Sequence, residues 1–157
     1  MAQSSRATKA SWTIRRAVAT DRARLEPLVR AYIDFYREPQ PSEERLDALL
    51  DLLAERPEIG AQFVAESDGE LLGFATVYLT YDTVAARRVA TMNDVFVAPD
   101  DRNLGLGRAL IERCREFARA NDCVLMQWVT AADNHTAQAL YGKLARRTNW
   151  VTYEMAC

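Results

Sequence analysis

The sequence predicts an α/β fold of the α+β kind: a mixed, mostly antiparallel central sheet flanked by helices, in the order β-α-α-β-β-β-α-β-α-β. Three observations lead there. Apolar residues recur at helical spacing in four separate stretches. An Asp68-Gly69 pair between two apolar runs marks a tight hairpin. A helical pattern separates the long strand ending at Val97 from the next apolar run, and such a crossover joins parallel strands.

Trp12 to Val18 alternates as a first strand. Thr20-Asp21 supplies a helix N-cap with acid in the first turn, and Leu25, Leu28, Val29, Tyr32, Ile33 and Tyr36 repeat at three and four as one apolar face. Pro39 and Pro41 end this helix. Ser42 caps a second one, with Glu43 and Glu44 at its positive end and Leu46, Leu49, Leu50 and Leu53 as its stripe. Gln62 to Glu66 and Leu71 to Leu79 flank the hairpin turn, and a long strand, Arg88 to Val97, follows a loop around Asp82. Val124 to Thr130 reads as a further strand and Asn134 to Leu144 as a helix capped near Asp133 or Asn134. Trp150 to Met155 reads as a closing strand.

One domain over 12–157 is expected, because a chain of 157 residues at 49% hydrophobic buries a core without staples. Residues 1–11 are polar and small, the composition of a mobile leader, and lack the apolar core of a secretory signal. No run of about eighteen apolar residues is present to span a membrane. The net charge of −2, with both signs interspersed, gives no basic footprint for nucleic acid. The three cysteines, Cys114, Cys123 and Cys157, lack paired or metal-ligand spacing, and the single histidine, His135, argues against a metal site. Cys114 and Cys123 read as small core hydrophobes, which fits a reduced, cytoplasmic setting.

The chemistry concentrates where the long strand gives way to a helix. Asp94-Val95-Phe96-Val97 breaks at Pro99-Asp100-Asp101, a turn signal. Leu104, Leu106, Ala109, Leu110, Cys114, Phe117 and Ala118 then recur at helical spacing. Gly105 and Gly107 sit at the changeover, where glycine lets backbone N–H groups reach a ligand with no Cβ in the way. A helix start leaves N–H groups without internal partners and carries a partial positive charge, which suits a phosphate. Arg102 and Arg108 flank it and offer charge-assisted contacts. The spacing is not a dinucleotide fingerprint, which needs a third glycine, nor a Walker loop, which needs Lys-Ser/Thr after Gly107. Gly-x-Gly by itself also reads as an ordinary strand–turn–helix.

Together with the strand before it, Arg102-x-x-Gly105-x-Gly107 resembles the acetyl-CoA pyrophosphate loop of the GCN5-related N-acetyltransferases, the GNAT family. The element order resembles that fold from about Trp12 to Met155. The resemblance implies acetyl-CoA as cofactor. It would be held along the backbone of Val95, Phe96 and Val97 and by the loop of Arg102, Asn103, Leu104, Gly105, Leu106, Gly107, Arg108 and Ala109. It further implies that Asn134 contacts the pantetheine arm and that Tyr141, in Ala139-Leu140-Tyr141-Gly142-Lys143-Leu144, protonates the departing thiolate. The Gly-Phe that usually follows Lys-Leu in the family is replaced by Ala145-Arg146, and what remains leaves room for one strand instead of a hairpin.

Amide-forming acyl transfer needs a polarised thioester carbonyl, an amine that loses a proton and a thiolate that gains one. Asp94 is the candidate to position or deprotonate the amine; the plainer alternative is a strand-edge carboxylate paired with an arginine. Tyr141 alternatively reads as a packing tyrosine. Tyr36, Glu38, Tyr78 and Trp128 are candidate acceptor-site residues. The neighbouring Tyr32, Asp34 and Phe35 belong to the same cluster, Tyr81 extends it, and Tyr32, Phe35 and Tyr36 also fit plain core packing. His135 fits a surface or capping role better than that of a base.

The reading is an N-acetyltransferase that moves an acetyl group from acetyl-CoA to a primary amine by direct attack in a ternary complex. A small polyamine or amino acid suits the acidic Asp94 and Glu38, and a protein N-terminus or lysine is the alternative acceptor. A non-catalytic acyl-CoA-binding regulatory module is the rival function, and a thiolate acid at position 141 has no use there. The family resemblance also implies a homodimer built through 124–155.

Overall fold

Residues 11–157 are described by the computed structural model, so the leader expected at 1–11 falls, apart from Ser11, outside the described residues. Five strands form one sheet in chain order: β1 (Thr13–Arg16), β2 (Gly60–Ser67), β3 (Glu70–Asp82), β4 (Arg87–Val97) and β5 (Met126–Gln127). Neighbours are antiparallel from β1 to β4. The step from β4 to β5 is parallel, as the intervening helix requires. The hairpin turn holds Asp68 at φ 50° and Gly69 at φ 79°, the paired positive values of a two-residue turn matched to strand twist.

The helices α1 (Arg22–Phe35) and α2 (Glu43–Glu55) cover one face of the sheet. Their Leu25, Val29, Leu46 and Leu50 pack on Val64, Phe74 and Phe96. The crossover helix α3 (Leu106–Ala120) covers the other, with Leu106, Leu110, Ile111 and Cys114 against Phe63, Ala75, Val77 and Met92. A last helix, α4 (His135–Leu144), adds Leu140, Tyr141 and Leu144 to the edge of this second layer. Strand β2 is buried on both faces, which is why it reads as a nearly continuous apolar run. Ser42 caps α2 as expected, its hydroxyl accepting the Arg45 N–H at 3.3 Å.

Asp21 stands at the N-cap of α1, but the expected side-chain cap does not form, because its carboxylate is taken up elsewhere. A short 3-10 turn, Ala19–Asp21, precedes α1, and the Asp21 carboxylate accepts the Val18 N–H at 2.9 Å. Arg15 of β1 clasps both carboxylate oxygens at 2.7 and 2.8 Å, and Arg24 of α1 adds a bond at 2.6 Å. Glu66 of β2 accepts from the same two arginines at 2.7 and 2.8 Å. The network ties the start of α1 to the β1–β2 edge.

Two expected strands differ. Val124 to Thr130 shortens to Met126–Gln127, because only Ala90 and Thr91 of β4 pair with it. Trp150 to Met155 forms no strand, and the chain carries no regular structure after Leu144. Alternation does not make a strand without a neighbouring edge to bond, and β5 offers a two-residue one. Trp150, Tyr153 and Met155 stay 88%, 89% and 90% exposed. No helix among the described residues is long and apolar enough to cross a membrane.

The Asp21 network has a measurable signature. Asp21 is 1% exposed, and removing its charge leaves Arg15 and Arg24 with Glu66 as their one shared carboxylate. Asp21→Asn is expected to lower the unfolding free energy at neutral pH by about 2–3 kcal/mol, read by urea denaturation. The Arg15 hydrogen bonds hold the Asp21 carboxyl at about 2, below the ordinary aspartate value of 3.8. The wild-type advantage is therefore complete above pH 3.8 and fades as pH falls through about 2. Equal stability of variant and wild type at pH 7 would show that the network contributes nothing.

Candidate active site

β4 carries one residue more than the strand beside it. Thr76 of β3 faces Asp94, yet the next residue, Val77, faces Met92, so Asn93 is the extra residue of a β-bulge. A one-residue insertion exchanges the faces of a strand. Ala90 and Met92, before the bulge, pack in the α3 layer, whereas Phe96, beyond it, packs under α1 and α2. Asp94 keeps step with Phe96 and so belongs to the α1 side.

The same region opens the sheet. β4 stays paired with β3 as far as Val97, but on its other edge β5 matches only Ala90 and Thr91. From Met92 onward no strand lies beside that edge among the described residues. The second half of β4 therefore keeps an edge without a strand partner. Thr130, on the segment joining β5 to α4, has its hydroxyl oxygen buried with no hydrogen-bond partner among the described residues. Such a group costs stability until a ligand or water meets it.

At the far end of β4 lies the glycine turn. Pro99–Asp101 makes a 3-10 turn, and Asn103 and Gly105 take left-handed φ values of 66° and 80°. Gly105 is the N-cap of α3, and the Ala109 N–H bonds back to its carbonyl at 3.1 Å. The N–H groups of Leu106, Gly107 and Arg108 come before that first helical bond and have no intrahelical acceptor. Gly107 abuts α4: a Cβ there would meet Leu140 Cδ2 at 3.5 Å, an ordinary contact. Arg102 folds back along β4, its Nε donating to the Val97 carbonyl at 3.2 Å. Its guanidinium lies 5.9 Å from the ring centroids of both Phe35 and Phe96. Arg108 and Leu104 are exposed on the turn and first helical residues.

Asp94 is half-buried on this stretch of β4. Asn93 Nδ2 donates to its Oδ1 at 3.0 Å, Thr76 stands directly opposite it across the ladder, and the hydroxyls of Thr76 and Tyr32 both favour its charged form. Burial outweighs these bonds and pushes its carboxyl above the ordinary range. Burial likewise raises the phenols of Tyr32 and Tyr78, and Asp94 adds to both shifts. Tyr36 and Tyr141 both act on Tyr32, which places the C-terminal end of α1 near α4. The Tyr141 phenol, pushed up to about 12 by burial and then by Tyr36, stays protonated through the working range. Trp128 packs edge-on against Tyr141 with ring centroids 5.5 Å apart.

The structure thus brings Asp94, Tyr78, Tyr36, Tyr141 and Trp128 to one region. It does not bring Tyr81, which is 72% exposed and stacked under Arg88 at the opposite end of the β3–β4 ladder. Glu38 is exposed beyond α1, its N–H bonded to the Ile33 carbonyl. Asn134 is the N-cap of α4, its side-chain oxygen accepting the Ala137 N–H at 3.2 Å, so that only its NH2 group faces other partners. His135 is exposed in the first turn of α4. Sequence reasoning left Thr76 out and placed Tyr32 in the acceptor-side cluster, with core packing as its alternative. The available signal was a polar residue inside each of two apolar strands, Gln62 and Thr76.

Comparison with known proteins agrees with this geometry. The model of the acetyltransferase (GNAT) family matches residues 25–145. The chain is 32% identical over 128 residues to the uncharacterized N-acetyltransferase YhfO of Bacillus subtilis (strain 168), covering 82% of this chain and 85% of that protein. It is 30% identical over 98 residues to the thialysine N-epsilon-acetyltransferase of Caenorhabditis elegans, covering 59% of this chain and 61% of that one. A crystal structure described as a probable acetyltransferase superposes with a TM-score of 0.81 at 26% identity, over 92% of this chain and 97% of the other. The protein belongs to the GNAT family of acetyltransferases. It is an enzyme, and the acetyl donor of its family is acetyl-CoA.

The two loop glycines are expected to respond in opposite directions. Gly105→Ala forces a Cβ into a φ of 80° and should cost about 1 kcal/mol. Gly107→Ala, inside a helix with room for the methyl, should gain about 0.5–1 kcal/mol. Denaturant unfolding of both variants tests the pair; a stabilised Gly105→Ala would contradict the left-handed cap.

Proposed function

We propose that the protein transfers the acetyl group of acetyl-CoA to the primary amine of a small molecule, a polyamine or amino acid, by direct attack in a ternary complex. The observation that carries this reading is Asp94, a half-buried carboxylate on the open edge of β4, with the neutral Tyr32 and Tyr78 as titratable neighbours. A carboxylate so placed suits an ammonium group, and the C. elegans relative named for thialysine supports an amine of this kind.

The residues present fit coenzyme A. The N–H groups of Leu106, Gly107 and Arg108 suit its pyrophosphate, with Arg102, Asn103, Leu104, Gly105 and Ala109 completing the loop. The open backbone edge at Val95, Phe96 and Val97, the NH2 of Asn134 and the unpartnered Thr130 hydroxyl suit its amide-bearing arm. When bound, acetyl-CoA supplies an acetyl carbon activated by a thiol leaving group. The Asp94 carboxylate takes the proton of the ammonium, directly or through water, and so frees the lone pair that forms the new C–N bond. A backbone N–H of Val95–Val97 stabilises the charge that develops on the carbonyl oxygen. As the C–S bond breaks, the Tyr141 hydroxyl gives its proton to the sulfur; the new amide nitrogen sheds its second proton to solvent, and the tyrosine recovers one from there. Tyr36, Tyr78 and Trp128 wall the acceptor side, and Glu38 meets the amine at the rim.

The reading includes a cytoplasmic setting, where reduced thiols such as the buried Cys114 coexist with coenzyme A thioesters. It also includes a homodimer through the C-terminal segment, supported by the exposure of Trp150, Tyr153 and Met155.

Free thiol release from acetyl-CoA across polyamines, amino acids, aminoglycosides and peptides tests the substrate class; release confined to peptides would replace the small-molecule acceptor. Tyr141→Phe is expected to leave acetyl-CoA affinity within a few-fold and cut kcat at least tenfold, about 1.4 kcal/mol in the barrier. Unchanged turnover would remove Tyr141 from the mechanism. Sedimentation velocity should give a dimer that Trp150→Ser with Tyr153→Ser converts to a monomer; a wild-type monomer at tens of micromolar would exclude the dimer.

A further inference from the structure

Gln62, Thr76 and Asp94 form one row across three strands. Gln62 pairs with Thr76 across β2 and β3, and Thr76 pairs with Asp94 across β3 and β4. Directly opposed residues share a face, and this row lies on the α1–α2 side with Val64, Phe74 and Phe96. Gln62 and Thr76 are only 4% and 1% exposed. Polar side chains in such a layer are unfavourable unless bonded, and apolar residues would serve packing better.

The direction of the hydrogen bonds supplies a reason for them. Gln62 Nε2 donates to Thr76 Oγ1 at 3.1 Å. A threonine hydroxyl has a single proton, so with Gln62 on its lone pair Thr76 keeps that proton free for the Asp94 carboxylate directly opposite it. The Tyr32 hydroxyl acts on the same carboxylate from α1, and Asn93 donates to it from the bulge. Tyr32 is itself fixed by edge-on contacts with Phe74 and Phe96, at 5.9 and 6.0 Å between centroids. Of the other titratable groups, Tyr78 of β3 is near enough to feel the Asp94 charge, while Tyr36 and Tyr141 act on Tyr32.

We propose that Gln62, Thr76 and Tyr32 are positioning residues, a buried donor chain that fixes the orientation and charge of the Asp94 carboxylate. The inference rests on the reading of Asp94 as the group that receives the amine proton. Burial pushes Asp94 up, and the Thr76, Tyr32 and Asn93 bonds pull it down. Loss of any one donor therefore raises it further. The Asp94 carboxylate then becomes protonated at a higher pH, and activity is lost earlier as pH falls.

The test measures Asp94 twice in the full-length chain: by 13C NMR titration of its carboxyl, assigned by its loss in Asp94→Asn, and by the acid limb of kcat/KM for the amine. Thr76→Val and Tyr32→Phe lie on different elements, so misfolding of one leaves the other informative. Each is expected to raise the Asp94 titration by about one pH unit and to move the acid limb with it. Thr76→Ser, which keeps the hydroxyl, should restore both. An Asp94 titration unmoved in the folded variants overturns the donor chain. A titration that moves while the acid limb stays put upholds the donor chain and removes Asp94 as the base, so the two ideas fail separately.

Discussion

Much of this molecule follows from one extra residue in a strand. At Asn93 the β3–β4 ladder slips by one, and the two halves of β4 present their side chains to opposite layers. Without the slip, Asp94 would stand in line with Ala90 and Met92, in the apolar layer under α3. An unpaired carboxylate there would be costly. With it, Asp94 faces α1 and meets three donors. A bulge also bends and twists its strand, and β5 stops pairing just before this point. One irregularity thus aims the carboxylate and coincides with the end of strand pairing on the edge beside it.

The bulge would achieve little if α1 were free to tilt. Its C-terminal end carries Tyr32 and Tyr36, and its N-terminal end is held by the Arg15–Asp21–Arg24–Glu66 network. Asp21 is buried and bonded on every side, so the helix start is fixed to the β1–β2 edge. A rigid helix then carries that placement to its other end, where Tyr32 rests on Phe74 and Phe96. Arg102 lies over Phe35 and Phe96 and so links the end of α1 to the entrance of the glycine turn. The acceptor side and the cofactor side share one aromatic floor.

The loop was legible because its chemistry is local. Arg102-x-x-Gly105-x-Gly107 specifies a turn and a helix start through backbone preferences within a few residues, and Gly105 does take the left-handed cap. The place of Tyr141 on the last helix was legible for the same reason, as part of a contiguous helical pattern. The relation of Thr76 and Tyr32 to Asp94 was not. It depends on the register of two strands and on the placement of a helix far along the chain. Tyr81 shows the reverse error: near in sequence to the candidate residues, it ends exposed at a ladder terminus. The closing strand failed because Trp150 to Met155 has the right alternation but no edge to bond.

The sequence by itself determined the element order, the two-layer pattern of apolar faces, the hairpin at Asp68-Gly69 and the glycine turn that opens α3. Each is set by propensity or periodicity over a short window, where backbone sterics and side-chain polarity act directly. Only the tertiary structure decided which face Asp94 takes, how far β5 accompanies β4, and which hydroxyls reach the carboxylate. Those depend on strand register, and register is settled by the sum of packing on both faces of the sheet, which no local stretch of residues encodes.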